Sequence, residues 1–147
     1  GIFIEGVRAT GSGASAPVRG PGRRLVLPIT AIMIAKAGKP WLAMATPGSP
    51  PQPVTQVLVN IQDFGMHPTE SDEAPRFWAF RETDTLNMET RISDDVRKGM
   101  AAQGLKIKDI GDFNFHTGSM QIIWKNPATG KIHGVTDPRR LGYAAGK

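Results

Sequence analysis

At 147 residues, 39% hydrophobic and 21% charged, the chain is long enough for one domain with a sizeable core and too apolar for a disordered one. It has no Cys, which excludes a disulfide framework and a thiolate metal site, and it contains neither a visible signal peptide nor a run able to span a membrane. Its net charge of +5 permits contact with polyanions, but one Tyr and three Trp are few for a base-stacking groove, so no nucleic-acid partner is expected.

Residues 1–4 read as a short buried strand. The chain starts at Gly1 and not Met, so it is expected to be a processed product or a fragment. Residues 7–24 contain four Arg and no acid among many Gly, Ser, Ala and Pro, which predicts a long basic loop. The GSGASA piece lacks the Lys-Ser/Thr ending of a phosphate-binding loop, and no strand-to-helix unit comes after it. Residues 25–35 are β-prone, with Pro28 near the start suiting an edge or a late-starting strand. Residues 37–40 form a turn, and 41–45 read as the returning strand of a hairpin.

The stretch 46–77 organises the middle of the chain. Val57, Leu58, Ile61 and Phe64 recur at helical spacing beside a polar stripe of Gln56, Asn60 and Asp63. Gly65 stands where a left-handed C-cap is wanted, and Pro68 suits the first turn of a second helix. Glu70, Asp72 and Glu73 then lie near that helix's positive end, and Ala74-Pro75 stops it. Residues 78–85 read as irregular. Leu86, Met88, Thr90 and Ile92 alternate as in a half-buried strand. Ser93 is a candidate N-cap, with Asp94 and Asp95 next, Val96 and Met100 as inward contacts and Gly104 as the stop. Residues 106–110 are a strand candidate, and 119–124 and 131–135 flank a hairpin turn. Residues 137–143 lack the apolar spacing of a helix. This order predicts an α+β layer architecture and not a doubly wound parallel sheet.

Chemistry-bearing motifs are sparse. His67, His116 and His133 are not at metal-ligand spacing, so neither a metal nor a cofactor is expected. His67 is placed to cap a helix, and the other two read as ordinary hydrogen-bonded residues beside strands. No nucleophile-elbow pattern occurs. The turn Thr46-Pro47-Gly48-Ser49-Pro50-Pro51 joins a strand to a helix, and such a turn can present backbone N–H groups to an oxyanion. Prolines have no N–H, so only Gly48 and Ser49 can donate there. A plain structural turn fits the same residues.

Taken together, GKP, TPGS, QVLVNIQDFGM, HPTE, EAPRF and the ending Asp137-Pro138-Arg139-Arg140 resemble the C-terminal part of the gamma-glutamyltranspeptidase family. The resemblance runs over essentially the whole chain, and the piece 56–77 is its most specific part. It implies a four-layer αββα sandwich of the N-terminal-nucleophile hydrolase type, of which this chain is only a part. It also implies self-cleavage into a large and a small subunit, with attack on an amide by an N-terminal Thr whose own amine is the base. That Thr would lie upstream of Gly1. Gly48 and Ser49 would form the oxyanion hole, and Glu5, Arg8 and Thr46 are the candidate substrate contacts. Residues 137–140 would anchor the C-terminus by salt bridges. The implied partners are the large subunit, in a heterodimer or an (αβ)2 assembly, and a small-molecule amide.

Three departures narrow the expectation. The nucleophile is outside the chain, so these residues alone are expected to be inert. Ser49 and Pro50 stand where the family has a double glycine. Only Glu5 remains of the acidic cluster expected after Ile4, and Leu27 and Pro28 occupy the place of paired carboxylate-binding serines. An amide other than an ordinary gamma-glutamyl compound is therefore expected, with Arg8 suited to a substrate carboxylate. A catalytically inactive homologue serving as a binding or structural subunit is the competing expectation.

Overall fold

The computed structural model describes residues 29–47, 52–79 and 83–146. The expected first strand, the basic loop and the candidate residues Glu5, Arg8, Gly48 and Ser49 lie outside these. Strand β1 (Ile29–Lys36) and strand β2 (Lys39–Pro47) form the expected hairpin, turning at Ala37 and Gly38 with φ of 50° and 72°. Both angles lie in the left-handed region that a tight hairpin of this hand requires. Helix α1 (Gln52–Gln62) and helix α2 (Pro68–Glu73) come next, then β3 (Phe77–Ala79) and β4 (Thr85–Met88). Helix α3 (Asp94–Ala102) crosses to β5 (Lys106–Asp109), and a short 3-10 turn (Phe115–Thr117) leads to β6 (Gln121–Lys125) and β7 (Ile132–Thr136).

The described strands form two sheets. One has the order β1-β2-β6-β7 and is antiparallel throughout. The other has the order β3-β4-β5, with β4 and β5 parallel because α3 carries the chain back between them. The α+β expectation holds. Among the described residues, one face of the larger sheet is covered. Leu42, Met44, Ile122 and Trp124 alternate inward and meet Val54, Val57 and Ile61 of α1, with Met120 completing the cluster. Burying each such side chain contributes about 1.5–3 kcal/mol. On the opposite face Met33, Ile123 and Ile132 are exposed.

Helix α1 stops as Gly65 implies. Gly65 adopts φ 67°, and the Met66 N–H reaches back to the Asn60 carbonyl at 3.0 Å, closing the last turn. The helix ends at Gln62, so Phe64 falls off its apolar stripe and is exposed, contrary to the spacing-based expectation. His67 does cap α2: its Nδ1 accepts from the Thr69 N–H at 3.3 Å while Glu70 Oε2 accepts from the His67 N–H. Ser71 Oγ then donates to the Val57 carbonyl at 2.8 Å, tying α2 to α1.

Other expectations need correction. Part of the stretch expected to be irregular is β3, whose free edge is paired by side chains of α1. The Gln52 amide donates to the Ala79 carbonyl at 2.8 Å and accepts from the Ala79 N–H at 2.9 Å. Gln56 makes the same pair of bonds with Phe77, at 2.8 and 3.1 Å. One helical turn of four residues rises about 6.0 Å, close to the roughly 6.8 Å between alternate strand residues, so two glutamines can imitate a neighbouring strand. Strand β4 ends at Met88, before Thr90 and Ile92, and buries both of its faces at Leu86, Asn87 and Met88. Ser93 stands at the N-cap of α3 without a side-chain cap bond, and α3 has no buried residue; Val96 is exposed. His116 lies in the 3-10 turn, and His133 Nε2 is buried with no hydrogen-bond partner among the described residues while its ring packs against Trp124.

Replacing Gln52 and Gln56 together by Ala is expected to speed amide exchange at Phe77 and Ala79 by about tenfold or more, since each lost bond is worth roughly 1 kcal/mol. Exchange in the β1–β2 hairpin should stay unchanged when hydrogen–deuterium exchange of the full-length protein is monitored by mass spectrometry.

Candidate functional site

Of the candidate residues, Thr46 is the one within the described structure. It is the last inward-facing residue of β2, fully buried, and its Oγ1 accepts the Ser119 N–H at 3.0 Å. Gly118, at φ 85°, makes this approach possible: a Cβ there would stand 2.8 Å from Thr46 Oγ1 and 3.3 Å from Pro53. The end of β2, the start of α1 and the lead-in to β6 thus converge at one point.

From Ser119 the contacts lead into a buried ionic network. The next residue, Met120, donates its N–H to Asp137 Oδ2 at 2.8 Å. Arg76 Nη1 reaches the same oxygen at 2.7 Å, and Arg76 Nη2 binds Asp72 Oδ1 at 2.7 Å and the Asp72 carbonyl at 2.8 Å. Arg139 clasps Glu89 with two parallel bonds of 2.7 Å, from Nε to Oε1 and from Nη2 to Oε2. It also donates to the Asp72 and Ala74 carbonyls and to Asp137 Oδ1. Glu89 in turn accepts the N–H groups of Arg76 and Asn114 and the Thr117 hydroxyl. All five charged side chains are buried, and Arg91 joins Glu89 from the partly exposed rim at 3.2 Å.

Pairing decides the protonation states. Burial alone would raise the Glu89 carboxyl, but the Arg139 bonds and charge, with the Arg76 and Asn114 N–H groups, outweigh it and hold Glu89 below its usual range. Asp72 goes the other way. Burial, then repulsion from Asp137, outweigh Arg76 and push it up to about 7. Its Oδ2 is buried without a hydrogen-bond partner among the described residues.

Sequence reasoning misses most of this site. It places Asp72 at the positive end of α2, and it singles out neither Arg76 nor Glu89. The i,i+4 spacing of Asp72 and Arg76 is a usable signal for one pair. Nothing in sequence links Glu89 with Arg139, fifty residues apart. The expected anchoring role of residues 137–140 is visible at Asp137 and Arg139, while Arg140 lies 4.9 Å from the Phe115 ring. Among the described residues no group of three or more His, Cys, Asp or Glu could hold a metal ion.

A mixed helix-and-sheet fold with this pattern is that of the N-terminal-nucleophile hydrolases, of which the chain makes up a part. The family profile described as gamma-glutamyltranspeptidase matches residues 6–147, and the chain belongs to that family. It is 33% identical over 131 residues to the glutathione hydrolase proenzyme of Escherichia coli (strain K12), covering 88% of this chain and 22% of that protein. The gamma-glutamyltranspeptidase of Pseudomonas nitroreducens, in a structure of its W525D mutant, superposes with a TM-score of 0.73 at 23% identity, covering 92% of this chain and 70% of that one. The cephalosporin acylase of Bacillus halodurans gives a TM-score of 0.66 at 30% identity, over 73% of this chain and 20% of that one.

Removing Arg139 leaves two buried carboxylates under-compensated. Arg139→Met is expected to destabilise the protein by about 3–5 kcal/mol, read as a large fall in thermal midpoint. Arg139→Lys should recover only part of the loss, because an ammonium cannot reproduce the fork on Glu89.

Proposed function

We propose that this chain is the C-terminal part of the small subunit of a gamma-glutamyltranspeptidase-like amidohydrolase. The observation that carries the reading is the family match over residues 6–147, and the sequence TPGS, which begins at the end of β2, supports it. In this reading an upstream N-terminal Thr attacks the amide carbonyl, and its free amine takes the hydroxyl proton and passes it to the leaving amine. The developing oxyanion is held by the N–H groups of Gly48 and Ser49. The resulting acyl-enzyme is released by water or by an acceptor amine. Thr46, locked to Ser119, fixes the end of β2, and any substrate contact it makes is through its backbone or its immediate neighbours.

Glu5 and Arg8 are proposed substrate contacts, with Arg8 meeting a carboxylate of an acidic amide. Loss of the acidic cluster and of the paired serines favours an acyl group other than ordinary gamma-glutamyl, and likeness to an acylase supports that direction. The proposed partner is the large subunit. The exposed apolar face bearing Met33, Ile123 and Ile132, with an open trough of about 680 Å³ over Ala31, Ala43 and Tyr143, supports burial of this sheet against the remainder of the protein. A heterodimer, or its (αβ)2 pair, would satisfy that face.

The same lost residues favour a second reading, an inactive homologue acting as a binding or structural subunit. The residue at the cleavage junction upstream separates the two. If replacing a junction Thr by Ala in the full-length precursor abolishes both self-cleavage and amide hydrolysis, the enzyme reading stands. Absence of any such Thr leaves the subunit reading.

Ser49→Pro removes one proposed donor and is expected to lower kcat by roughly 10²–10³-fold with KM little changed. Arg8→Ala is expected to raise KM for acidic amides by about tenfold or more while sparing neutral ones, checked by steady-state kinetics on a matched substrate pair.

A further inference from the structure

Three fully buried carboxylates, Asp72, Glu89 and Asp137, share two fully buried guanidiniums, those of Arg76 and Arg139. The partition is uneven. Glu89 receives the whole Arg139 fork, the rim residue Arg91, two backbone N–H groups and a hydroxyl, so its charge is fully met. Asp137 has partners on both oxygens: the N–H and guanidinium of Arg139 on Oδ1, and Arg76 with the Met120 N–H on Oδ2. Among the described residues Asp72 has a single side-chain partner, Arg76 on Oδ1, and shares that guanidinium with Asp137. The excess negative charge of the cluster therefore sits at the Asp72 end. Only there is a buried carboxylate oxygen, Oδ2, left without a partner among the described residues.

We propose that Asp72 is a proton-binding site that sets the strength of the ionic lock on the C-terminal turn. A proton taken from solvent binds Oδ2 and leaves Oδ1 accepting from Arg76. The cluster of five is then neutral, and Arg76 serves one anion, Asp137, in place of two. Asp137 holds the start of β6 through Met120, so the lock couples proton uptake to the turn after β7 and to the strand beside Thr46. The groups facing Asp72 are Arg76 just past its own helix, Asp137 and Arg139 from the C-terminal turn, and, through Arg139, Glu89 just past β4.

Linkage gives the sign. The folded-state value, about 7, lies above the ordinary 3.8, so the folded form binds the proton more tightly than the unfolded form. The stabilisation is complete below about pH 4 and is lost as pH rises towards 7, staying absent above it. Glu89, shifted downward, acts in the opposite direction at acid pH, so the contribution of Asp72 is read as a difference against Asp72→Asn.

The test is hydrogen–deuterium exchange of the full-length protein between about pH 5 and about pH 8.5, with rates corrected for the chemical pH dependence of exchange. Protection around Arg76 and residues 137–140 is expected to fall by about tenfold or more as pH rises, and Asp72→Asn should flatten that change. An unchanged profile in Asp72→Asn, or a flat one in the unmodified protein, overturns the proposal. Infrared spectra of the unmodified protein carrying ¹³C-labelled Asp carboxyls supply a check that needs no variant. A protonated-carboxyl band persisting to near-neutral pH is expected, and its disappearance at ordinary carboxylate pH overturns the proposal even if the variant fails to fold.

Discussion

The bidentate contact between Arg139 and Glu89 is the interaction on which the rest of the described structure leans. It joins a residue just after β4 to one just after β7, and so joins the small sheet to the large one. A buried charge pair of this kind offers little net stability over an apolar pair, because both ions lose their water. Its consequence is geometric. A planar guanidinium satisfied on every side admits one arrangement of its partners, and here the partners are the Asp72 and Ala74 carbonyls at the end of α2 and the carboxylates of Glu89 and Asp137, just past β4 and β7. Arg76 spans Asp72 and Asp137 through its two Nη groups, while its Nε has no partner among the described residues.

The apolar core and the ionic network meet near the end of β2, through Thr46, Ser119 and Met120. Apolar packing between α1 and the inner face of the large sheet fixes the direction of the helix, and the network fixes the chain on its far side. Gly118 allows Thr46 and Pro53 to close up at that junction. The end of β2 and the start of α1 are thereby held together through Thr46, Gly118 and Pro53.

The pairing of β3 by two glutamines shows how an edge is managed. An isolated strand edge invites association with other chains, and α1 closes this one using side-chain amides at helical spacing. The outer face of the large sheet is not closed within the described residues. Its small and apolar residues suit burial by another layer, in keeping with a chain that spans 22% of the length of its Escherichia coli relative.

How much is legible in sequence depends on the range of the interaction. Local rules work at Gly65, at the His67 cap, at the Pro68 and Pro75 boundaries of α2, and at both hairpins, because each is settled by the φ angle or hydrogen bonding of a few adjacent residues. The family and its fold are readable from the run 56–77 and the DPRR ending, since a shared fold preserves such local patterns. Phe64, Val96 and the strand at 77–79 are misread, because periodicity cannot tell which apolar side chain finds a partner or which edge another element will complete. Of the buried network, the salt-bridging role of residues 137–140 and the Asp72–Arg76 spacing are legible, but the long-range partners are not. Asp72, Glu89 and Arg139 are ordinary surface residue types, and only the fold removes them from water and brings their charges together. Sequence by itself determined the local elements and the family. Tertiary structure alone decided which charges are buried, because desolvation and pairing depend on what folds over them.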